Sequence, residues 1–171
     1  MSQARLEFSL VDESATDALG AALACAYEAC GRGRGTVYLR GDLGTGKTTC
    51  VRRLLQTLGI QGSIRSPTYT LVEEYESRGV TALHVDLYRL QGTVEVDELG
   101  LRDYLMGDCL LLVEWPERGG RALPPADLVV ALAYEGDGRR ANLSAESSRG
   151  VSWLEFLSRD NSISPYVSNL T

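Results

Sequence analysis

Apolar positions change their period along the first third of the chain. Leu6, Phe8 and Leu10 alternate with polar residues, as in a half-buried β-strand, and the apolar positions that follow Ser14 recur at helical spacing as far as Gly31. The predicted elements are, in order, a strand at 6–10, a helix from 14 to 30, a strand at 36–40 and a helix at 48–58 that ends at Gly59. Strands that alternate with helices in this way favour an α/β fold.

The rest of the chain adds hairpins around one buried strand. The continuous apolar run from Cys109 to Val113 is typical of a parallel strand buried on both faces. The other predicted elements are strands at 68–76 and 80–88, a helix at 94–105, strands at 128–134 and 140–145, and an amphipathic turn or two at 151–157. We therefore expect a mixed sheet with a parallel centre, extended by antiparallel hairpins and flanked by helices.

Length and composition indicate one domain. The 171 residues are 44% hydrophobic, enough for one core, which we place at 1–157. The polar segment 158–171, which contains a proline, predicts a mobile tail.

Charge and apolar content exclude several classes of protein. The net charge is −6 with acidic and basic residues interspersed, so we expect no direct RNA binding. There is no apolar run of about 20 residues and no signal-like start, so we expect a cytoplasmic protein with no membrane partner. Four cysteines without metal-ligand spacing are expected to be reduced and mostly buried.

The segment 41–48 carries the strongest motif, because it fits the phosphate-binding pattern G-x-x-x-x-G-K-[ST] between a predicted strand and a predicted helix. Lys47 is the only lysine among the 17 Lys and Arg residues. An ammonium on a flexible stem suits a phosphate loop better than a planar guanidinium does. The pattern predicts phosphate contacts from the backbone N–H groups of Gly44, Thr45, Gly46 and Lys47, Mg²⁺ at the Thr48 hydroxyl, and an α-phosphate contact at Thr49.

Two carboxylates are candidates for the rest of an active site. Asp86 lies in a predicted strand, and Glu114 ends the most apolar predicted strand. Burying a carboxylate at such a position costs desolvation free energy unless a cation lies beside it. Both are expected to be catalytic or metal-binding, and the sequence leaves open which acid holds the metal and which orients water. For His84 a structural role is favoured over acid–base chemistry, and Trp115 is interpreted as core.

A loop at 66–69 precedes the predicted strand of the first hairpin. Its sequence Ser-Pro-Thr-Tyr lies where a switch loop would contact a γ-phosphate, with Thr68 as the contact, although an ordinary strand entry is the alternative.

Five motifs together carry a family resemblance: GDLGTGKTT at 41–49, SPTYTLV at 66–72, HVDLYRL at 84–90, DELGLRD at 97–103 and VEWPERG at 113–119. In this order and spacing, the chain from about Phe8 to Leu157 resembles the TsaE family of bacterial P-loop ATPases. The resemblance implies a P-loop NTPase fold and ATP hydrolysis for threonylcarbamoyladenosine modification of tRNA, with TsaB and TsaD as partners and tRNA reached only through their complex. It also implies Mg²⁺ at Thr48 and Glu114, Asp86 in the same network, and nucleotide contacts from Glu13 and Arg139.

Two other functions remain open at this stage. A small-molecule kinase would use the same loop, but no acceptor pocket or arginine-bearing lid is recognisable in the sequence. A nucleotide-sensing adaptor would not require turnover. A GTPase with the N-K-x-D guanine motif is disfavoured, because that motif needs a second lysine.

Overall fold

The structure, a computed structural model, describes residues 4–90, 99–104 and 106–170. Its eight strands are β1 Arg5–Leu10, β2 Gly35–Arg40, β3 Val72–Ser77, β4 Val80–Asp86, β5 Cys109–Glu114, β6 Leu128–Glu135, β7 Gly138–Ala145 and β8 Val167–Leu170. The α-helices are α1 Glu13–Ala29, α2 Lys47–Thr57, α3 Leu101–Tyr104 and α4 Ser148–Arg159, and short 3-10 turns cover Pro116–Arg118, Gly120–Ala122 and Ser164–Tyr166.

All eight strands form one sheet in the order β3-β4-β5-β2-β6-β7-β1-β8. The central strands β4, β5, β2 and β6 are parallel neighbours, and the outer pairings are antiparallel. This confirms the predicted mixed sheet with a parallel centre. The carboxyl ends of β2, β4 and β5 therefore lie together, which is where ligands bind in open α/β sheets.

The core lies on both faces of the central strands. Every residue of β5 is buried, as its apolar run predicts. On one face the larger apolar cluster joins the sheet to α1, α2 and α4, and on the other a smaller cluster joins Leu111 and Val113 to Leu87, Leu101 and Leu123. Burial on both faces holds the end of β5, and hence Glu114, in a fixed position.

The helices begin at local capping signals. The Asp12 carboxylate accepts from the Ala15 N–H at 2.8 Å and starts α1, and the Ser147 hydroxyl accepts from the Gly150 N–H at 3.2 Å and starts α4. In contrast, the residue that precedes α2 is Gly46, which has no side chain to accept a hydrogen bond from the helix. The N–H groups in the first turn of α2 therefore remain for a ligand.

Three predicted elements differ from the structure or lie partly outside it. The strand predicted from Thr68 begins at Val72, because residues 68–70 form a turn and Leu71 has a φ of 62°. Of the helix predicted at 94–105, residues 94–98 and 105 lie outside the described residues, residues 99–100 form a turn, and Leu101–Tyr104 form α3.

The predicted tail differs more strongly. Helix α4 continues to Arg159, Ile163 is fully buried, and β8 pairs with β1. The polar composition of this segment gave no signal for β8, because a short strand at the edge of a sheet needs few apolar residues.

Candidate nucleotide-binding site

The phosphate loop connects β2 to α2 through a backbone that only glycine adopts easily. Gly41 and Gly46 have φ values of 138° and 102°, in the left-handed region. A Cβ at Gly41 would lie 2.2 Å from the Leu132 carbonyl oxygen, so no other residue fits there. The resulting turn aims the start of α2 and its partial positive charge at the end of the sheet.

Lys47 lies folded back into its own loop. Its Nζ donates to the carbonyl oxygens of Gly41 at 2.6 Å and Asp42 at 2.8 Å, and it lies 4.2 Å from the ring centroid of Trp115. Burial lowers the pKa of the Lys47 ammonium below its ordinary value, and the carboxylates of Glu114 and Asp86 oppose that shift. A buried cation whose acceptors are only carbonyl oxygens is suited to bind an incoming phosphate.

Glu114 links the phosphate loop to the sheet. The Thr48 Oγ1 donates to both carboxylate oxygens, at 2.9 and 3.0 Å, and the Nε2 of His84 lies 2.8 Å from Glu114 Oε1. Only 2% of Glu114 is exposed. Burying a carboxylate this deeply costs free energy unless such hydrogen-bond partners compensate for the lost water.

Asp86 lies beside Glu114 in the parallel register of β4 and β5. Its carboxylate accepts hydrogen bonds from the Ser66 hydroxyl and, at 2.9 Å, from the Tyr88 N–H. Asp86 therefore connects the loop at 66–69 to the same end of the sheet that carries Glu114.

A cleft of about 320 Å³ is lined by nearly all the residues predicted for the site. Those that line it are Glu13, Gly44, Gly46, Lys47, Thr48, Thr49, Thr68, Asp86, Glu114 and Arg139. Thr45 is the exception, since it is buried and its hydroxyl donates to the Asp42 carbonyl oxygen at 2.8 Å. The structure thus brings together the motif residues and the two acids, while their roles toward a nucleotide remain predictions.

The far side of the cleft is formed by the first helix and the second hairpin. Glu13 starts α1, and Arg139 on β7 donates from Nη2 to the Gly44 carbonyl oxygen at 3.3 Å. The Arg139 guanidinium also lies 5.8 Å from the ring centroid of Tyr134. Its Nε is buried without a hydrogen-bond partner among the described residues, so this arginine still has a donor to offer a ligand.

Sequence reasoning missed several lining residues. Trp115, interpreted as core, lines the cleft together with Tyr88, and their ring centroids are 5.0 Å apart. Trp115 has a φ of 58°, so the chain turns sharply after β5 and returns its ring toward Lys47. Thr16 and Leu43 also line the cleft. Helical spacing after Glu13 could have indicated Thr16, but no sequence signal marks the turn at Trp115.

The donors fit a hard divalent cation. Mg²⁺ in nucleotide sites is bound by one or two carboxylates together with phosphate oxygens and water. Thr48 and Glu114 offer hydroxyl and carboxylate oxygens in direct contact, and the Asp86 carboxylate lies on the adjoining strand. Within the described ranges no cluster of three or more His, Cys, Asp or Glu side chains could hold a metal by itself.

The fold and the site together define the class of protein. A parallel-centred sheet carries the phosphate loop between β2 and α2, and the carboxylate that ends β5 contacts the loop threonine. This is the arrangement of a P-loop NTPase fold.

Comparisons with known proteins identify the family. The family model "Threonylcarbamoyl adenosine biosynthesis protein TsaE" matches residues 10–142, and the chain belongs to this family. Proteins named tRNA threonylcarbamoyladenosine biosynthesis protein TsaE are similar: that of Haemophilus influenzae is 49% identical over 122 residues, covering 71% of this chain and 77% of the relative. That of Bacillus subtilis is 36% identical over 127 residues, covering 74% and 79%.

A solved structure agrees with this assignment. The crystal structure of Bacillus subtilis YdiB superposes with a TM-score of 0.78 at 28% identity, covering 93% of this chain and 97% of that one. Among the described residues of this chain, no helix has the length and apolar character needed to cross a membrane.

Proposed function

We propose that this chain is a Mg²⁺-dependent ATPase that supports threonylcarbamoyladenosine modification of tRNA together with TsaB and TsaD. The observation that carries the proposal is the contact of Thr48 with Glu114 beside the buried Lys47. The names of the similar proteins supply the tRNA modification. A role in tRNA modification fits a cytoplasmic protein, so we expect this chain to act in the cytoplasm.

Phosphate binding would begin with groups that are already placed. The first-turn N–H groups of α2 would receive the β-phosphate, and Thr49 would contact the α-phosphate. Lys47 would leave the carbonyl oxygens of Gly41 and Asp42 for the β- and γ-phosphates, exchanging two neutral acceptors for charged ones. Glu13 and Arg139 would contact the nucleotide from the other side of the cleft.

The two acids complete the proposed site. Thr48 and Glu114 would hold Mg²⁺, which when bound would neutralise charge on the phosphate oxygens. Asp86 completes this network and, through Ser66, connects it to the loop that carries Thr68. Either acid could orient the attacking water, and substitution of each decides between them.

Dependence on partners is the second part of the proposal. Tyr69, at the tip of the loop, is 85% exposed, and Arg89 lies over its ring at 4.7 Å. Contact with a TsaB–TsaD complex would order this loop over the γ-phosphate, so the isolated chain is expected to hydrolyse ATP slowly. The acidic chain would meet tRNA only through that complex.

The test is a phosphate-release assay of the chain alone and with TsaB and TsaD, paired with tRNA modification in the same mixture. Glu114→Gln should lose both activities, whereas Glu117→Gln, an exposed acid three residues later, should keep both. Transfer of phosphate to a metabolite would instead indicate a kinase. Full multi-turnover modification with Glu114→Gln would indicate an adaptor that needs no hydrolysis.

A further inference from the structure

His84 is the only histidine of the chain and is fully buried on β4. In the parallel register it lies beside Leu112 of β5, and its ring reaches Glu114, two residues farther along that strand. The imidazole therefore lies beneath the carboxylate that contacts the phosphate loop. Because His84 is buried, it does not itself reach the cleft.

We propose that His84 is a positioning residue that donates its Nε2–H to Glu114 and fixes that carboxylate for metal binding. This inference deepens the proposed function and rests on it. The Nε2 to Oε1 distance of 2.8 Å is that of a good hydrogen bond. A carboxylate can only accept, so the imidazole nitrogen that faces it must carry the proton.

The other ring nitrogen agrees with a donor at Nε2. Nδ1 is buried and has no hydrogen-bond partner among the described residues. A proton on Nδ1 would be a buried donor without an acceptor, which is costly. The tautomer with its proton on Nε2 leaves only a lone pair unused there.

His84 is one of two donors that orient Glu114. The Thr48 hydroxyl donates its single proton to both carboxylate oxygens, whereas the Nε2 of His84 faces Oε1 alone. A hydroxyl oxygen can also offer a lone pair to a cation, so Thr48 would serve two partners when the metal binds, whereas His84 would serve Glu114 only. Removal of such an outer-shell partner usually weakens metal affinity by about 10- to 100-fold.

The hydrogen bond itself is tested by ¹⁵N NMR of the ring. Without an affinity tag, a single histidine gives one pair of ring-nitrogen signals that need no assignment by mutation. We expect the Nε2–H tautomer, and we expect Glu114→Gln to shift the Nε2 signal. The Nδ1–H tautomer, or an Nε2 signal unchanged by Glu114→Gln, would overturn the proposal whether or not the chain hydrolyses ATP.

The positioning role is tested by Mn²⁺ binding, followed by electron paramagnetic resonance with ATP present, and by ATP affinity in EDTA. His84→Leu should weaken Mn²⁺ binding by about tenfold or more while metal-free ATP affinity stays within about threefold. His84→Gln, which retains an amide donor, should recover most of the lost Mn²⁺ affinity. Leu112→Ala, a core variant in the neighbouring strand position, controls for general loosening of the sheet.

A double-mutant cycle shows whether His84 acts through Glu114. His84→Leu should add little to the Mn²⁺ defect of Glu114→Gln, because coupled residues are not additive. Equal losses of Mn²⁺ and metal-free ATP affinity, as expected for Leu112→Ala, would leave His84 a structural residue. A wild-type chain that binds no Mn²⁺ overturns the proposed function as well, whereas normal Mn²⁺ binding by His84→Leu overturns the positioning role alone.

Discussion

The Thr48 hydroxyl and the Glu114 carboxylate meet at the carboxyl end of the sheet, with Oγ1 at 2.9 and 3.0 Å from the two carboxylate oxygens. One residue lies in the first turn of α2 and the other ends β5, 66 positions later in the chain. The contact therefore fixes the helix that would bind phosphate against the strand that would supply the metal carboxylate.

Glu114→Gln should separate hydrolysis from folding. The amide retains the size of the carboxylate and an acceptor for Thr48 and His84, but it loses the charge that would bind Mg²⁺ and polarise water. We expect kcat to fall by about 100-fold or more, with metal-free ATP affinity nearly unchanged. A thermal melt of the ligand-free protein serves as the control, and its collapse would make Glu114 a structural residue.

Lys47→Arg should lose ATP binding nearly as completely as Lys47→Ala. Only 4% of Lys47 is exposed, between two loop carbonyls and the Trp115 ring, and a guanidinium is too wide for that space. Calorimetry should show at least about a tenfold loss of ATP affinity for both variants. Arg40→Lys, an exposed exchange just before the loop, should bind normally. Near-normal turnover by Lys47→Arg would contradict this assignment.

The sequence could predict those parts of the site that depend on local pattern. The phosphate loop is contiguous and flanked by a strand and a helix of clear period. Asp86 and Glu114 each follow an apolar run that predicts a strand, although the strand predicted at 80–88 ends at Asp86 in the structure. Parallel pairing of β4 and β5 then places the two acids side by side. Local periodicity was sufficient here, because the carboxyl ends of parallel strands share one edge.

Contacts that depend on a particular backbone turn could not be predicted. The Trp115 ring reaches Lys47 because residue 115 adopts a left-handed conformation, which a non-glycine residue rarely shows. The pairing of β8 with β1 joins residues more than 150 positions apart, and neither strand carries a signal for the other. Such features follow from tertiary packing rather than from local sequence.

Trp115 should report on nucleotide binding through its fluorescence. Phosphate would draw the Lys47 ammonium away from its position 4.2 Å from the ring centroid and change the surroundings of the indole. The other tryptophan, Trp153, is buried against Tyr27, with ring centroids 6.1 Å apart. An ATP titration should change the emission of wild type and Trp153→Phe but not of Trp115→Phe. A response that persists in Trp115→Phe would place the reporter elsewhere.

Cysteine labelling should follow burial. Burial raises the pKa of the Cys50 thiol to about 12 and that of Cys109 to about 11, whereas Cys25 is exposed. At pH 8 the Cys50 thiol would stay protonated, and the thiolate is the reactive form. A disulfide reagent should modify Cys25 first and reach Cys50 and Cys109 only after unfolding, with Cys25→Ser as the control. Rapid modification of Cys50 in the folded protein would contradict its burial.

Ile163→Ala tests whether the end of the chain belongs to the folded domain. Its side chain is fully buried within the main apolar cluster, between α4 and the turn that leads into β8. Loss of a buried isoleucine side chain should lower the free energy of unfolding by about 2–4 kcal/mol, measured by urea denaturation. Met106→Ala removes a comparable apolar side chain that is 85% exposed and should change stability by less than about 0.5 kcal/mol. Equal, small effects of the two substitutions would support the mobile tail that the polar sequence after Ser158 predicts. A large effect at Ile163 alone would show that the folded core extends past Ser158, into the segment predicted to be mobile.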